Sequence, residues 1–372
     1  MSEKNMGSRM IRPLIAGCVV LMAALFAMLL HFEAKDKNRS VVTVGAVLPG
    51  ISTTPGSWCE AHRFGLQKAA EAMGVRLVIR DNAMEGSGKC AVAIKELADE
   101  GAELIFLCSY GYAEEAAETL ARYPKISFVT HSAEASAPNL STCALRIYQG
   151  RYLAGALAGI RTKSNIIGYV VGTPNAQANR QLNAFVLGAQ RVNPKARVIV
   201  AWTGGWAIRP KEMEAVRGLV EKGADVLAYH QDDATVPQMA DAMNVDFIGF
   251  NASFAGTSSH CLASLVCSWD AYYEENMKRY LKGELKMRPY YWTGIETGAV
   301  RLTDVTTELG FDGGYALANI RDDLVNRHYN IFSGPLYDKD GVLRCLRGET
   351  IHDETLLKRM DWQAKGVEFL GS

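Results

Sequence analysis

The stretch AWTGGWAIRPKE, residues 201–212, sets Trp202 and Trp206 on either side of a Gly-Gly pair, directly after the valine-rich run ARVIVAW. Trp202 keeps the phase of that run and reads as core. Trp206, released by Gly204 and Gly205, reads as a ring on a mobile loop. Other stacking and hydrogen-bonding side chains also stand just past apolar runs. These are Trp58, Tyr110 and Tyr112, the stretch Asn175 to Arg180 with Asn183, then Gln231, Asp232 and Asp233, and last Asn251 and Ser253. Aromatic faces joined to a few amides and carboxylates suit a flat, hydrogen-bonding heterocycle. Each group also has a purely structural use. Trp58 can pack on its own lobe, Asp232 or Asp233 can cap a helix, Tyr110 and Tyr112 can be lobe packing, and Arg180 and Asn183 can form a solvated helix start.

Other chemistry is poorly represented. His62, His131, His230 and His260 are scattered, with no HExxH spacing, so no metal or cofactor is expected. There is no GxSxG elbow, no phosphate loop and no carboxylate pair at a spacing that implies acid–base work, so binding is expected and catalysis is not. Lys plus Arg equals Asp plus Glu at 40 each, giving no overall field for nucleic acid. A small uncharged or zwitterionic partner fits better.

The elements that must position these groups repeat. Four apolar runs, at 41–48, 75–81, 102–109 and 125–131, are followed by four more at 165–172, 196–202, 224–230 and 245–250, with amphipathic segments between them. This alternation predicts parallel strands with crossover helices. KELADEGAELIF aligns with RGLVEKGADVLAY, and Gly45 aligns with Gly168, at an offset near 120 residues. The fold class is therefore α/β, as two similar doubly wound lobes. Ligands of such sheets sit beyond the carboxyl ends of the strands, and two facing lobes make a cleft there. Past Phe254 the chain reads as a strand and helix (264–283), a helix (315–330) and a small Asp-Gly hairpin, recrossing between the lobes to give a hinge. The domains expected are 39–148 with roughly 264–300 for the first lobe, 149–263 with roughly 301–345 for the second, and a C-terminal segment 346–372 packing on the lobes.

Residues 1–38 read as a signal peptide or membrane anchor. Lys4, Arg9 and Arg12 precede the uncharged run Leu14–Leu30, which at 17 residues lies between a signal core of roughly 7–15 and a span of about 20. The LIAGC within it has the shape of a lipid-attachment signal at Cys18, although most of the apolar run follows that cysteine. Export is expected, either to the periplasm or to a tethered position on the outer face of the cytoplasmic membrane. Of the seven cysteines outside this segment, most read as small buried hydrophobes, and Cys261 with Cys267 is the pair near enough in sequence to suggest a bridge.

RIYQGRYLAGALAG (146–159), NAFVLGAQRVNPKARVIVAWTGGW (183–206), KGADVLAYHQDD (222–233), YWTGIETGAV (291–300) and FSGPLYDKDGVLR (332–344) together resemble the BMP (basic membrane protein) family of ABC-transporter substrate-binding lipoproteins, which bind purine nucleosides and related compounds. The resemblance runs from about Val41 to the end of the chain. It implies a type I periplasmic-binding-protein fold, ABC permease subunits as partners, and two aromatic rings sandwiching a purine base, at Trp58 and Trp206 here. The chain departs from the family at three polar positions. Where members commonly carry an Asp near the first aromatic, it offers Glu60 and His62; an acidic turn becomes Asn251 to Ser253; and a basic residue becomes Glu296. Since such groups hold ribose hydroxyls in nucleoside binders, a free base is as well suited as a nucleoside. A membrane-tethered sensor with no transport role is the alternative, whereas a cytosolic repressor is disfavoured because the apolar run occupies the place of a DNA-binding helix-turn-helix.

Overall fold

The computed structural model describes residues 22, 41–131, 136–254, 256–286 and 290–371. The reading of residues 1–38 as a signal or anchor, with lipid at Cys18, lies outside the described residues, apart from Met22. Among the described residues no helix is long and apolar enough to cross a membrane.

Two parallel sheets carry the chain. The strands of the first are β1 (Thr43–Val47), β2 (Arg76–Arg80), β3 (Ala102–Leu107), β4 (Ser127–Thr130), β5 (Leu140–Leu145) and a late arrival, β11 (Tyr290–Thr293). They lie in the order β11-β5-β4-β3-β1-β2, parallel throughout. The second sheet has β6 (Ile166–Val171), β7 (Arg197–Trp202), β8 (Val226–His230), β9 (Asp246–Phe250), β10 (Cys261–Cys267), β12 (Val300–Thr303) and β15 (Val367–Phe369). Its order is β12-β10-β9-β8-β6-β7-β15, with β12 antiparallel to β10. All eight apolar runs are strands; seven are largely buried on both faces, as in parallel sheets covered by helices, while β2 lies at the sheet edge and is partly exposed. The internal repeat is real at the level of packing. A Cβ on Gly45 would stand 3.0 Å from Leu97, and one on Gly168 would stand 2.5 Å from Leu227, with helix Arg209–Glu221 pressing in through Leu219.

The chain passes between the sheets three times. After β5 it enters helix Ile147–Arg161, which lies against helix Ala176–Val192 so closely that a Cβ on Gly155 would be 1.9 Å from the Phe185 carbonyl oxygen. After β10 it returns through helix Trp269–Leu281, packed on helix Trp58–Met73 at Gly65, to reach β11. It then crosses once more to β12 and helix Gly310–Val325. Residues 264–267 therefore belong to the second sheet, because β10 pairs with β9 before the chain leaves. The Asp-Gly hairpin is β13 (Leu336–Tyr337) with β14 (Leu343–Cys345), its turn closed by Asp338, whose carboxylate accepts from the Asp340 and Val342 amides.

The Cys261–Cys267 bridge is not formed. The two residues end one extended strand, and six residues at roughly 3.3 Å each put them far outside the roughly 4.4–6.8 Å Cα separation of a disulfide. All seven described cysteines outside the N-terminal segment are free.

Candidate functional site

In each sheet the strand order reverses beside the central strand, at β1/β3 and at β6/β8. The carboxyl ends of these strands face one cavity. It is lined by Trp58, Glu85, Ser109, Tyr110 and His131 of the first lobe and Gln177, Trp206, His230 and Asp232 of the second. Its volume is about 30 Å³, room for no more than a few water molecules. The lobes are closed on it, since a Cβ on Gly56 of the first lobe would lie 3.7 Å from Ala234 of the second.

Trp58 opens its helix directly after Ser57, whose hydroxyl accepts from the Glu60 amide at 3.0 Å. The indole Nε1 donates to the Cys108 carbonyl at the end of β3 at 2.9 Å, and the ring packs on His62 (centroids 4.2 Å apart) and edgewise on Trp269 (5.0 Å). Trp58 is thus both packed on its own lobe and presented to the cavity. The two readings of this residue are compatible, because one indole has two faces and an edge.

Trp206 is held more firmly than its two glycines suggest. Gly204, at φ +83°, turns the chain out of β7. Beyond the turn, the Trp206 carbonyl accepts from the Asp232 amide at 2.6 Å. The Gln231 side chain, with its amide nitrogen facing the loop, reaches the Gly205 and Trp206 carbonyls at 3.1 and 2.9 Å. The indole lies over Gly172 and tilts against His230, with centroids 5.1 Å apart. The loop is fixed by the ends of β6 and β8, which correlation along the sequence does not show.

Of the remaining expected residues, Tyr110 and Asp232 line the cavity. Asp233 accepts from the Thr235 amide at 2.8 Å in the turn leading to helix Thr235–Ala242, whose N-cap is Ala234 with no side-chain cap bond, so the expected aspartate cap is not formed. Several others point elsewhere. Tyr112 is fully buried in the first lobe, its hydroxyl donating to the Ala83 carbonyl. Glu60 turns back to accept from the Gly56 amide at 2.8 Å. Arg180 donates to the Leu356 carbonyl at 2.6 Å, and Asn183 ties down Trp362 and Ala364, so both serve the C-terminal segment and neither lines the cavity. Ser253 donates to Asp304 at 2.6 Å, and Glu296 pairs with Arg327 at 3.4 Å. Asn251 is buried at φ +67° and lies outside the cavity lining. Gln177 falls within the expected stretch Asn175 to Arg180. Glu85, Ser109, His131 and His230 were missed. Applying the strand-end rule to β2, β4 and the last residue of β8 would have found Glu85, His131 and His230.

The electrostatics of the cavity follow from its closure. Burial lowers His131 to about 4, and burial with the nearby Arg151 and Arg180 charges holds His230 well below its usual range, so both imidazoles are neutral at pH 7. Burial, then Glu85 and Asp233, push Asp232 up to about 8. The site therefore offers aromatic faces, neutral imidazoles and carboxyl groups from both lobes. Among the described residues no group of three or more His, Cys, Asp or Glu could hold a metal ion.

Comparison with known proteins agrees with this architecture. Residues 42–326 match the Bmp family model, described as ABC transporter substrate-binding protein PnrA-like. The chain is 29% identical to the purine-binding protein of Brucella abortus (strain 2308) over 316 residues, covering 84% of this chain and 89% of that one. It is 28% identical to a Haloferax volcanii protein provisionally named as an ABC transporter glucose-binding protein, covering 74% and 67%. The fold is shared with a solute-binding protein of an ABC transporter system from Aeropyrum pernix K1 (TM-score 0.65, 15% identity, 85% of this chain and 95% of that one). It is also shared with a transcriptional activator of the comK gene from Bacillus halodurans (TM-score 0.66, 21% identity, 77% and 99%). With 285 of its 372 residues matched, this chain belongs to the Bmp family of PnrA-like ABC transporter substrate-binding proteins, whose members work outside the cytoplasm.

Proposed function

We propose that the protein captures a purine nucleobase or nucleoside-like heterocycle between its lobes and delivers it to the permease subunits of an ABC importer. The observation that carries this reading is the meeting of Trp58 and Trp206, one from each lobe, at one cavity. A base stacked on an aromatic ring gains about 1–3 kcal/mol, so two rings supply a large share of the roughly 8 kcal/mol behind micromolar binding. The neutral His131 and His230 can each donate or accept toward a base edge. A cavity of about 30 Å³ admits such a ligand only after the lobes part, as a hinged receptor requires. The purine-binding relative supports the ligand class, and residues 1–38 would provide export and a tether.

Calorimetric titration of residues 41–372 with purines, nucleosides, glucose and amino acids tests the ligand. Heat from purines with none from glucose is expected, and the reverse result overturns the assignment. Loss of labelled purine uptake on deletion of the gene tests delivery, and N-terminal sequencing of the exported protein shows whether the apolar run is kept.

A further inference from the structure

Two carboxyl groups line the closed cavity, one from each lobe, and each keeps at least one oxygen to which no described residue donates. Glu85 lies between β2 and helix Lys89–Asp99. Its Oε1 accepts from the Ser109 hydroxyl at 2.5 Å and from the Gly111 amide at 2.6 Å. Among the described residues nothing donates to its Oε2. Asp232 uses its backbone amide to hold Trp206, and no described residue donates to its carboxyl group. Closure brings Glu85 and Asp232 together in a space with little room for water, where two charges would repel strongly, so Asp232 keeps a proton there until a ligand supplies donors, and unpaired acceptors are costly. A ligand that offers a donor to each side removes both penalties.

The groups that the family resemblance offered for ribose hydroxyls are engaged elsewhere. Glu60 accepts from Gly56, Ser253 donates to Asp304 and Glu296 pairs with Arg327, and none of the three lines the cavity. Resting on the purine reading above, we propose that the site selects a free base carrying N–H donors on two opposite edges, read by Glu85 from one lobe and Asp232 from the other. Adenine has this pattern, with its exocyclic amine on one edge and N9–H on the other. A ribosyl or methyl group at N9 deletes one donor and leaves a carboxylate unpaired.

Calorimetry on the full-length chain in detergent, with adenine, 9-methyladenine and adenosine, tests this. Adenine should bind most tightly, and 9-methyladenine should be weaker by about tenfold or more, the size of a lost hydrogen bond to a charged group. Glu85→Gln and Asp232→Asn each turn an acceptor into a donor at nearly constant shape. Each should weaken adenine by about tenfold or more, and in one of them the penalty for N9 methylation should vanish. If the three ligands bind the parent alike, or if both variants bind adenine as the parent does, this selectivity is overturned and the purine reading stands. If none of the three binds while another solute does, both are overturned. Comparing ligands on the unaltered chain keeps the test decisive should a variant fold poorly.

Discussion

Gly172 is the floor on which Trp206 rests. A Cβ at this position would stand 2.5 Å from Cε3 of the indole and 2.8 Å from Cδ2. The end of β6 therefore sets the height of a ring carried by the loop after β7. Gly172→Ala should push the ring off its seat and weaken binding of the ligand by about tenfold, as stacking loss implies, with little change in melting temperature. Intrinsic fluorescence titration would read this directly, and unchanged affinity would show that the ring position does not matter.

The two tryptophans should separate stability from binding. Trp58 is 9% exposed and anchored to Cys108, His62 and Trp269, so Trp58→Ala should cost about 3–5 kcal/mol of stability as well as affinity. Trp206 is half-buried and stands at the cavity, so Trp206→Ala should remove affinity and most of the ligand-induced quenching at a stability cost under about 2 kcal/mol. Denaturant melts beside titrations would reveal whether the costs divide this way.

Closure should depend on pH. Asp232 is raised in the closed cleft from 3.8 to about 8, with Glu85 and Asp233 as its charged neighbours. The closed form therefore holds a proton that an open, solvated Asp232 gives up. Closing without ligand becomes less favourable as pH rises from about 4 to about 8, and is steady beyond that window. Small-angle scattering of the ligand-free protein should show a larger radius of gyration at pH 8.5 than at pH 7, a comparison above the range in which exposed His131 and His230 would take up protons and oppose closure. Asp232→Asn should flatten the dependence, and a flat profile in the parent would refute the assignment.

Asn183 should behave as a clamp for the C-terminal segment. Its amide donates to the Trp362 carbonyl at 2.9 Å and its carbonyl accepts from the Ala364 amide at 2.7 Å, just before β15 joins the sheet. Asn183→Ala should cost about 1–3 kcal/mol and speed hydrogen exchange in residues 362–370 while leaving ligand affinity unchanged. A large loss of affinity would instead return Asn183 to the binding site.

The strands were legible because each is a short apolar run between helices. β5 was missed because Ser141 and Thr142, both buried, interrupt its apolar run. The site was legible where a single rule reached it. Trp58, Tyr110 and Asp232 follow strands at the points where the sheet order reverses, and Trp206 follows β7, the neighbour of β6. Arg180 and Asn183 also follow a strand, yet they sit on helix faces covered by residues 356–364, a partner nearly 180 positions away that no local pattern reveals. Glu85 also follows a strand, β2, so the same rule reaches it, but only the fold shows that it lines the cavity.

The small volume of the closed cavity has a consequence for tuning. If only the open form can load, the apparent affinity is the intrinsic affinity scaled by the fraction of molecules that are open. Substitutions at the three chain crossings, far from either tryptophan, can then strengthen or weaken capture without touching the ligand. Selection for a scarcer or more abundant solute could act on the resting balance of the hinge while the recognition surface stays the same.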